Sequence, residues 1–382
     1  MDGVGGAYNY GFGVGISSTS RATITSGSAD GTLNADSGYS NNAAIYVLNS
    51  NTGSANRADV VSLNSDGFTL NALDVSSTII SKVQWLSIGG SDLTNVSLVT
   101  YQSNTTTGSQ ALTGAGFAPD AAIVFTAGFT TPPPDATGTL DTFHGLGYAA
   151  KGTPITQGAT GVEITQTVNS ERRSQSTSNV IYLPDQASMR WEASVSSFGT
   201  DGITLNWTTV QSTAIYFFVL YMKGPKFKVV SFNQPAATGS QSITGVGFQP
   251  SAGLFTSFCA AATTGQVADG NWGSGVGVSS TKRGWVWSSA RSGNNNSSRG
   301  NGQDGVIACY TENSSTPTFR SKADLTSWDS DGFTLSWTVS EATARQVIGL
   351  LVGPVSAPPP GRITSPLLIT REVGLPINEG TI

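Results

Sequence analysis

The chain has 382 residues, a net charge of −5 and a pI near 4.9, with only 11% charged residues and 46 glycines. Its few Lys and Arg are scattered, which argues against a nucleic-acid partner held on a basic face. The nine-residue apolar run Ala214–Met222 falls far short of the roughly 20 residues a membrane-spanning helix needs, and a single histidine, His144, excludes any site that requires two imidazoles.

In chain order, the first element is the glycine cluster Gly11-Phe12-Gly13-Val14-Gly15, which has partners around 143–147 and 270–277, each near an aromatic residue: Tyr10, Phe143 and Trp272. Bare backbone covered by a side chain suits a tightly packed strand. A phosphate loop would need a following helix, and none is expected. The N-terminus lacks the charged, apolar and small-residue order of a signal peptide.

At 65–70 stands Ser-Asp-Gly-Phe-Thr-Leu, which returns as Thr-Asp-Gly-Ile-Thr-Leu at 200–205 and as Ser-Asp-Gly-Phe-Thr-Leu at 330–335. Asp66, Asp201 and Asp331 are 201 − 66 = 135 and 331 − 201 = 130 residues apart, too far for a solenoid period of roughly 20 to 50. Each copy is therefore expected to be a small domain. Asp-Gly permits a tight reversal, and the alternation of Phe68 and Leu70, Ile203 and Leu205, Phe333 and Leu335 marks half-buried strands. The structural turns are thus Asp66-Gly67, Asp201-Gly202 and Asp331-Gly332. Trp207 and Trp337 continue the inward face, whereas Ala72 predicts a thinner core in the first copy.

Thr-Gly-Ser-Gln-Ala-Leu-Thr-Gly-Ala-Gly-Phe-Ala-Pro at 107–119 is matched by Thr-Gly-Ser-Gln-Ser-Ile-Thr-Gly-Val-Gly-Phe-Gln-Pro at 238–250, with no counterpart in the first copy. Aligning Asp2-Gly3 with Asp269-Gly270 places Met1 inside a repeat that lacks about 40 opening residues. The expected domains are an incomplete sandwich at 1–95, full copies at 96–227 and 228–355, and a Pro-rich linker with an extended tail at 356–382. Scarce helix formers and many Gly, Asn and Pro turns predict an all-β fold of three tandem antiparallel β-sandwich, jelly-roll-like domains, the first without its N-terminal strands.

Variable loops at 169–179 and 291–304 on a constant scaffold are natural partner contacts, carried by Arg172, Arg173, Arg291, Asn294, Asn295, Asn296 and Arg299. Solvated loop charge is the competing reading. Trp285 and Trp287 share a strand face and could stack on a sugar, although core filling is the commoner use of such a pair. Cys259 and Cys309, in apolar runs, read first as buried thiols, with a disulfide open to them if their strands pair.

Enzyme chemistry finds little support: there is no nucleophile elbow, zinc-binding helix motif or Walker loop. Asp329 beside Asp331 resembles part of a calcium loop, but Asn64 and Gly199 replace it in the other copies. No cofactor or metal is expected, and His144 reads as structural or exposed.

The two phrases, Thr-Gly-Ser-Gln-x-Ile/Leu-Thr-Gly-x-Gly-Phe-x-Pro and, about 90 residues on, x-Asp-Gly-Phe-Thr-Leu-x-Trp, resemble a repeat of structural and tail-associated proteins of tailed bacteriophages. The likeness spans 96–355 well and 1–95 in part. It implies a non-enzymatic virion component of the head surface, tail or fibre, which partners other virion proteins and copies of itself. Such a protein assembles in the host cytoplasm and is exposed outside the cell. The alternative is a receptor- or glycan-binding adhesin. An incomplete sandwich exposes a sheet edge, which a neighbouring chain or the tail, through Ile363, Leu367, Leu368 and Ile369, is expected to cover.

Overall fold

The computed structural model describes residues 3–6, 8–28, 35–48, 55–75, 83–133, 135–138, 142–165, 171–185, 188–261, 265–290, 297–310 and 318–355. Among these the fold is all-β, in antiparallel sheets, and no helix is present. The first repeat supplies β1 (Gly3–Gly6), β2 (Tyr8–Gly15), β3 (Arg21–Ser28), β4 (Ala35–Ser40), β5 (Ile45–Leu48), β6 (Ala55–Asn64) and β7 (Gly67–Asp74). The second supplies β8 (Asn95–Gln102), β9 (Gly108–Thr113), β10 (Ala121–Thr126), β11 (Asp135–Gly138), β12 (Thr142–Ala150), β13 (Thr156–Ile164), β14 (Arg172–Ser176), β15 (Ile181–Pro184), β16 (Met189–Phe198), β17 (Gly202–Thr209) and β18 (Tyr216–Lys223). The third supplies β19 (Lys226–Asn233), β20 (Gly239–Thr244), β21 (Ala252–Ala261), β22 (Gly265–Ala268), β23 (Gly270–Gly277), β24 (Arg283–Ala290), β25 (Ser297–Gly302), β26 (Ile307–Tyr310), β27 (Phe319–Asp329), β28 (Gly332–Val339) and β29 (Arg345–Gly353).

The Asp-Gly phrases form the hairpins β6–β7, β16–β17 and β27–β28. All three carry register shifts at the same two places: before Ala58, Ala193 and Ala323, and after Val60, Val195 and Leu325. Bulges bend and twist a ladder locally, so each hairpin curves alike over a larger sheet. Buried Leu205, Trp207, Phe217 and Val219 fill that space in the second repeat, as Leu335, Trp337, Phe255 and Leu351 do in the third. Gly13, Gly147 and Gly275 let the two layers approach closely: a Cβ there would lie 1.9, 1.9 and 2.0 Å from the carbonyl oxygens of Ala44, Val180 and Val306. The bare backbone is thus covered by the opposing layer's backbone, and the expected aromatic cover is not what requires these glycines.

The larger sheets are not self-contained. Their orders are β1-β25-β24-β23-β21-β29-β19 in the third repeat and β22-β14-β13-β12-β10-β18-β8 in the second, while the first has only β11-β4-β3-β2. Each repeat therefore lends one four-residue strand to another: β1 to the third, β22 to the second and β11 to the first. The exchange closes into a ring. It also shifts the expected alignment, since Gly3 opens the lent strand and corresponds to Gly265 rather than to Gly270.

Inside the ring, faces of all three repeats share one core that includes Ile24, Tyr39, Phe125, Tyr148, Leu350 and Trp272. The residues three before the close-packed glycines, Tyr10, His144 and Trp272, meet there. Their ring centroids lie 5.0, 4.1 and 4.1 Å apart, stacked within 23° of parallel. His144 is thus structural and wholly buried, with Nδ1 2.7 Å from Ser26 Oγ. It is His144, and not Phe143, that is equivalent to Tyr10 and Trp272; Phe143 faces the second repeat's own core.

The expected loops at 169–179 and 291–304 contain β14 and β25, which receive the lent strands. Their polar sequences hide this because ladder pairing on both sides, one of them with another repeat, and not apolar alternation, holds them. Cys259 and Cys309 form a disulfide between β21 and β26, which overturns the first reading as free thiols.

Burial holds the His144 imidazole well below its usual pKa of 6.5. The unfolded chain therefore binds the extra proton first, and stability falls as pH drops below about 6.5. Denaturant unfolding at pH 5 and 7 measures this loss, and His144→Phe should flatten it. Glu171, beside the β14–β22 seam, has the opposite sign: burial, with a smaller push from Asp269, raises its carboxyl from 4.5 to about 7. The native chain keeps that proton, so ionisation removes stability as pH rises from 4.5 to 7. Glu171→Gln should raise the Tm at pH 8 and change it little at pH 4.5.

Candidate assembly groove

In the second and third repeats the hairpin aspartate is more than a turn residue. Asp201 Oδ2 and Oδ1 accept the backbone N–H groups of Gly114 and Gly116 at 2.9 and 2.6 Å. Asp331 does the same for Gly245 and Gly247 at 3.1 and 2.5 Å. The carboxylate clamps the Gly-x-Gly turn between β9 and β10, or between β20 and β21. The adjoining strand then pairs with the hairpin, β9 with β17 and β20 with β28. Gly202 and Gly332 have φ of +142° and +152°, and a Cβ there would lie 2.0 and 1.9 Å from the carbonyl oxygens of Leu112 and Ile243. The incoming strand thus explains the glycines. Trp207 and Trp337 complete the contact by donating Nε1–H to Gln110 and Gln241 at 2.7 and 2.8 Å.

In the first repeat the same place is vacant among the described residues. β2 ends one sheet and β7 ends the other, where β12 and β23 pair with β10 and β21, and β17 and β28 with β9 and β20. Asp66 is exposed and accepts no hydrogen bond, and a Cβ on Gly67 would meet nothing within 4 Å. Residues 83–89, which correspond to β18 and β29, form no strand. Their ladder partner is missing, so only side-chain packing holds them: Trp85 meets Phe68 edge-on at 5.4 Å, and Leu86 and Ile88 lean on the shared core.

A groove of about 960 Å³ opens between these edges, lined by Gly13, Val14, Asp66, Phe68, Leu70, Trp85 and, from the third repeat, Val276 and Arg299. Leu70 and Phe68 are half-buried where their counterparts Leu205, Leu335, Ile203 and Phe333 are at most 2% exposed. Val61 and Leu63, on the preceding strand, are 51% and 58% exposed. The wall is mostly apolar, with the Asp66 carboxylate at the turn end and Gln84 and Arg299 among its polar members.

Of the residues expected to contact partners, Arg299 lines the groove. Burial lowers the pKa of its guanidinium. Arg173 is buried and Arg172 half-buried on β14, opposite Val267 and Ala268 of the lent strand, so the contact they serve is internal. Trp285 and Trp287 are 0% and 1% exposed and pack with Tyr310 and Phe319, which agrees with core filling and corrects the sugar-stacking alternative. Arg291, Asn294, Asn295, Asn296, Ile363, Leu367, Leu368 and Ile369 lie outside the described residues. The axial trio Tyr10, His144 and Trp272 was missed, although its spacing from Gly13, Gly147 and Gly275 carried the signal. No protein-family model, curated protein or solved structure matches this chain.

Charge-assisted hydrogen bonds contribute most where both partners are in place, on the order of 1.5–3 kcal/mol each. Asp201→Ala and Asp331→Ala should each lower unfolding free energy by about 1–3 kcal/mol. Asp66→Ala should leave it within about 0.5 kcal/mol. Urea denaturation of the three variants measures the difference, and equal losses would refute the vacancy.

Proposed function

We propose that this protein is a non-enzymatic structural component of a tailed-bacteriophage virion, of the head surface, tail or fibre, built for assembly with other virion proteins. The observation that carries the assembly part is the pairing of one vacant place with two filled ones: among the described residues β2 and β7 present unpaired edges beside Asp66, whereas the other repeats satisfy both edges. Exposed edges pair readily with other chains, and an assembly protein uses that tendency. The phage part rests on the likeness of the two repeated phrases.

The closed exchange of β1, β11 and β22 gives one polypeptide an approximately threefold body, which suits a symmetric platform. The glycan-binding alternative loses its tryptophan platform, because Trp285 and Trp287 are interior.

Antibody labelling of purified particles of the encoding phage tests the assignment. Label is expected on the particle surface at a fixed position. Its absence from particles, with the protein found only free in the lysate, would overturn the virion reading.

A further inference from the structure

The vacant place has a definite shape because the chain shows twice what fills it. In the second repeat, β10 lies between β12 and β18, and β9 pairs with β17, so a single strand–turn–strand segment closes both layers. In the third, β20 and β21 do the same. The first repeat keeps the β2 edge, the β7 edge, residues 83–89 and the Asp66 carboxylate, and lacks the indole donor that Trp207 and Trp337 supply.

We propose that the groove receives a strand–turn–strand segment of a partner polypeptide with the chemistry of residues 107–127: two alternating strands joined by a Gly-x-Gly-Phe turn, whose backbone N–H groups the Asp66 carboxylate accepts. One strand adds to β7 and the other lies between β2 and residues 83–89, which then become a strand. The inference deepens the assembly reading and does not depend on the partner being a phage protein.

Gly67 is the sharpest pointer. Its counterparts are glycines because a carbonyl oxygen of the incoming strand lies where a Cβ would sit, at 2.0 Å for Gly202 and 1.9 Å for Gly332. At Gly67 that space is open. Neither a left-handed φ nor a close neighbour requires a glycine at 67, and its bare backbone leaves room for such a carbonyl. The groove differs from the internal sites where Ala72 replaces Trp207 and Trp337, so a glutamine like Gln110 finds no indole donor there.

A synthetic peptide of residues 107–127, titrated into the full chain by calorimetry, tests the proposal, with a scrambled peptide as control. Binding is expected at micromolar Kd, with slowed hydrogen exchange at the amides of 67–73 and 83–89. Asp66→Ala should weaken binding at least about tenfold. Gly67→Ala should abolish it while leaving the unfolding curve of the chain alone unchanged. The proposal is overturned if the peptide does not bind, if both variants bind as well as the parent chain, or if 83–89 gains no protection. Binding seen only after residues 358–382 are deleted would also overturn it, since the chain's own tail would then be the occupant. None of these results bears on particle labelling, so the virion assignment and the groove stand or fall separately.

Discussion

The fold is governed by the need to satisfy strand edges. A sandwich of this kind leaves backbone N–H and C=O groups at each open edge, and an unsatisfied buried group costs about as much as a lost hydrogen bond. Here the four-residue strands β1, β11 and β22 each cover the outer edge of a sheet in another repeat, with β25, β4 and β14 as their partners. Because the loan runs from first to third, third to second and second to first, no repeat can be removed without exposing an edge on another. The shared core around Tyr10, His144 and Trp272 forms only when the ring closes. That couples the antiparallel sheets of the repeats into one unit and makes the single histidine a reporter of its centre.

The aspartate clamp operates within each repeat as the exchange operates between them. Asp201 and Asp331 hold glycines 84 to 87 residues away in sequence and so fix the strand–turn–strand segment that closes both layers. Removing that segment has graded consequences, all visible in the first repeat. Buried Ala58 and Val60 keep their places, because the β5–β6–β7 ladder supports them. Leu70 and Phe68 lose cover, and residues 83–89 lose strand pairing altogether.

How much of this was legible depended on whether the signal was local. The hairpins were, since Asp-Gly and the alternation of Phe333 and Leu335 specify turn and face within a few residues. Residues 1–95 contain no Thr-Gly-Ser-Gln phrase, which agrees with the place left vacant among the described residues. Strand exchange was not legible: Gly3-Val4-Gly5-Gly6 has no alternation to read, and Arg172–Ser176 looks like a polar loop until Gly265–Ala268 lies beside it. The axial trio fell between these cases. Two adjacent aromatic residues, Phe143 and His144, compete for the match to Tyr10 and Trp272, and counting back from Gly147 selects His144. Trp285 and Trp287 share one strand face as expected, but sequence cannot say which layer that face meets.

Fusion of three repeats in one chain has a consequence that a homotrimer could not reproduce. In a trimer of identical subunits every clamp is the same, so either all three sites are filled from within or all three are vacant. A single polypeptide can fill two, through Asp201 and Asp331, and leave Asp66 open. The two filled repeats then lend the vacant one its stability: β11 pairs with β4, and Ile123, Leu146 and Leu350 support the inner face that Phe12 and Val14 share. An open apolar edge on an isolated small sandwich would invite aggregation. Held in a closed ring it becomes one site per body.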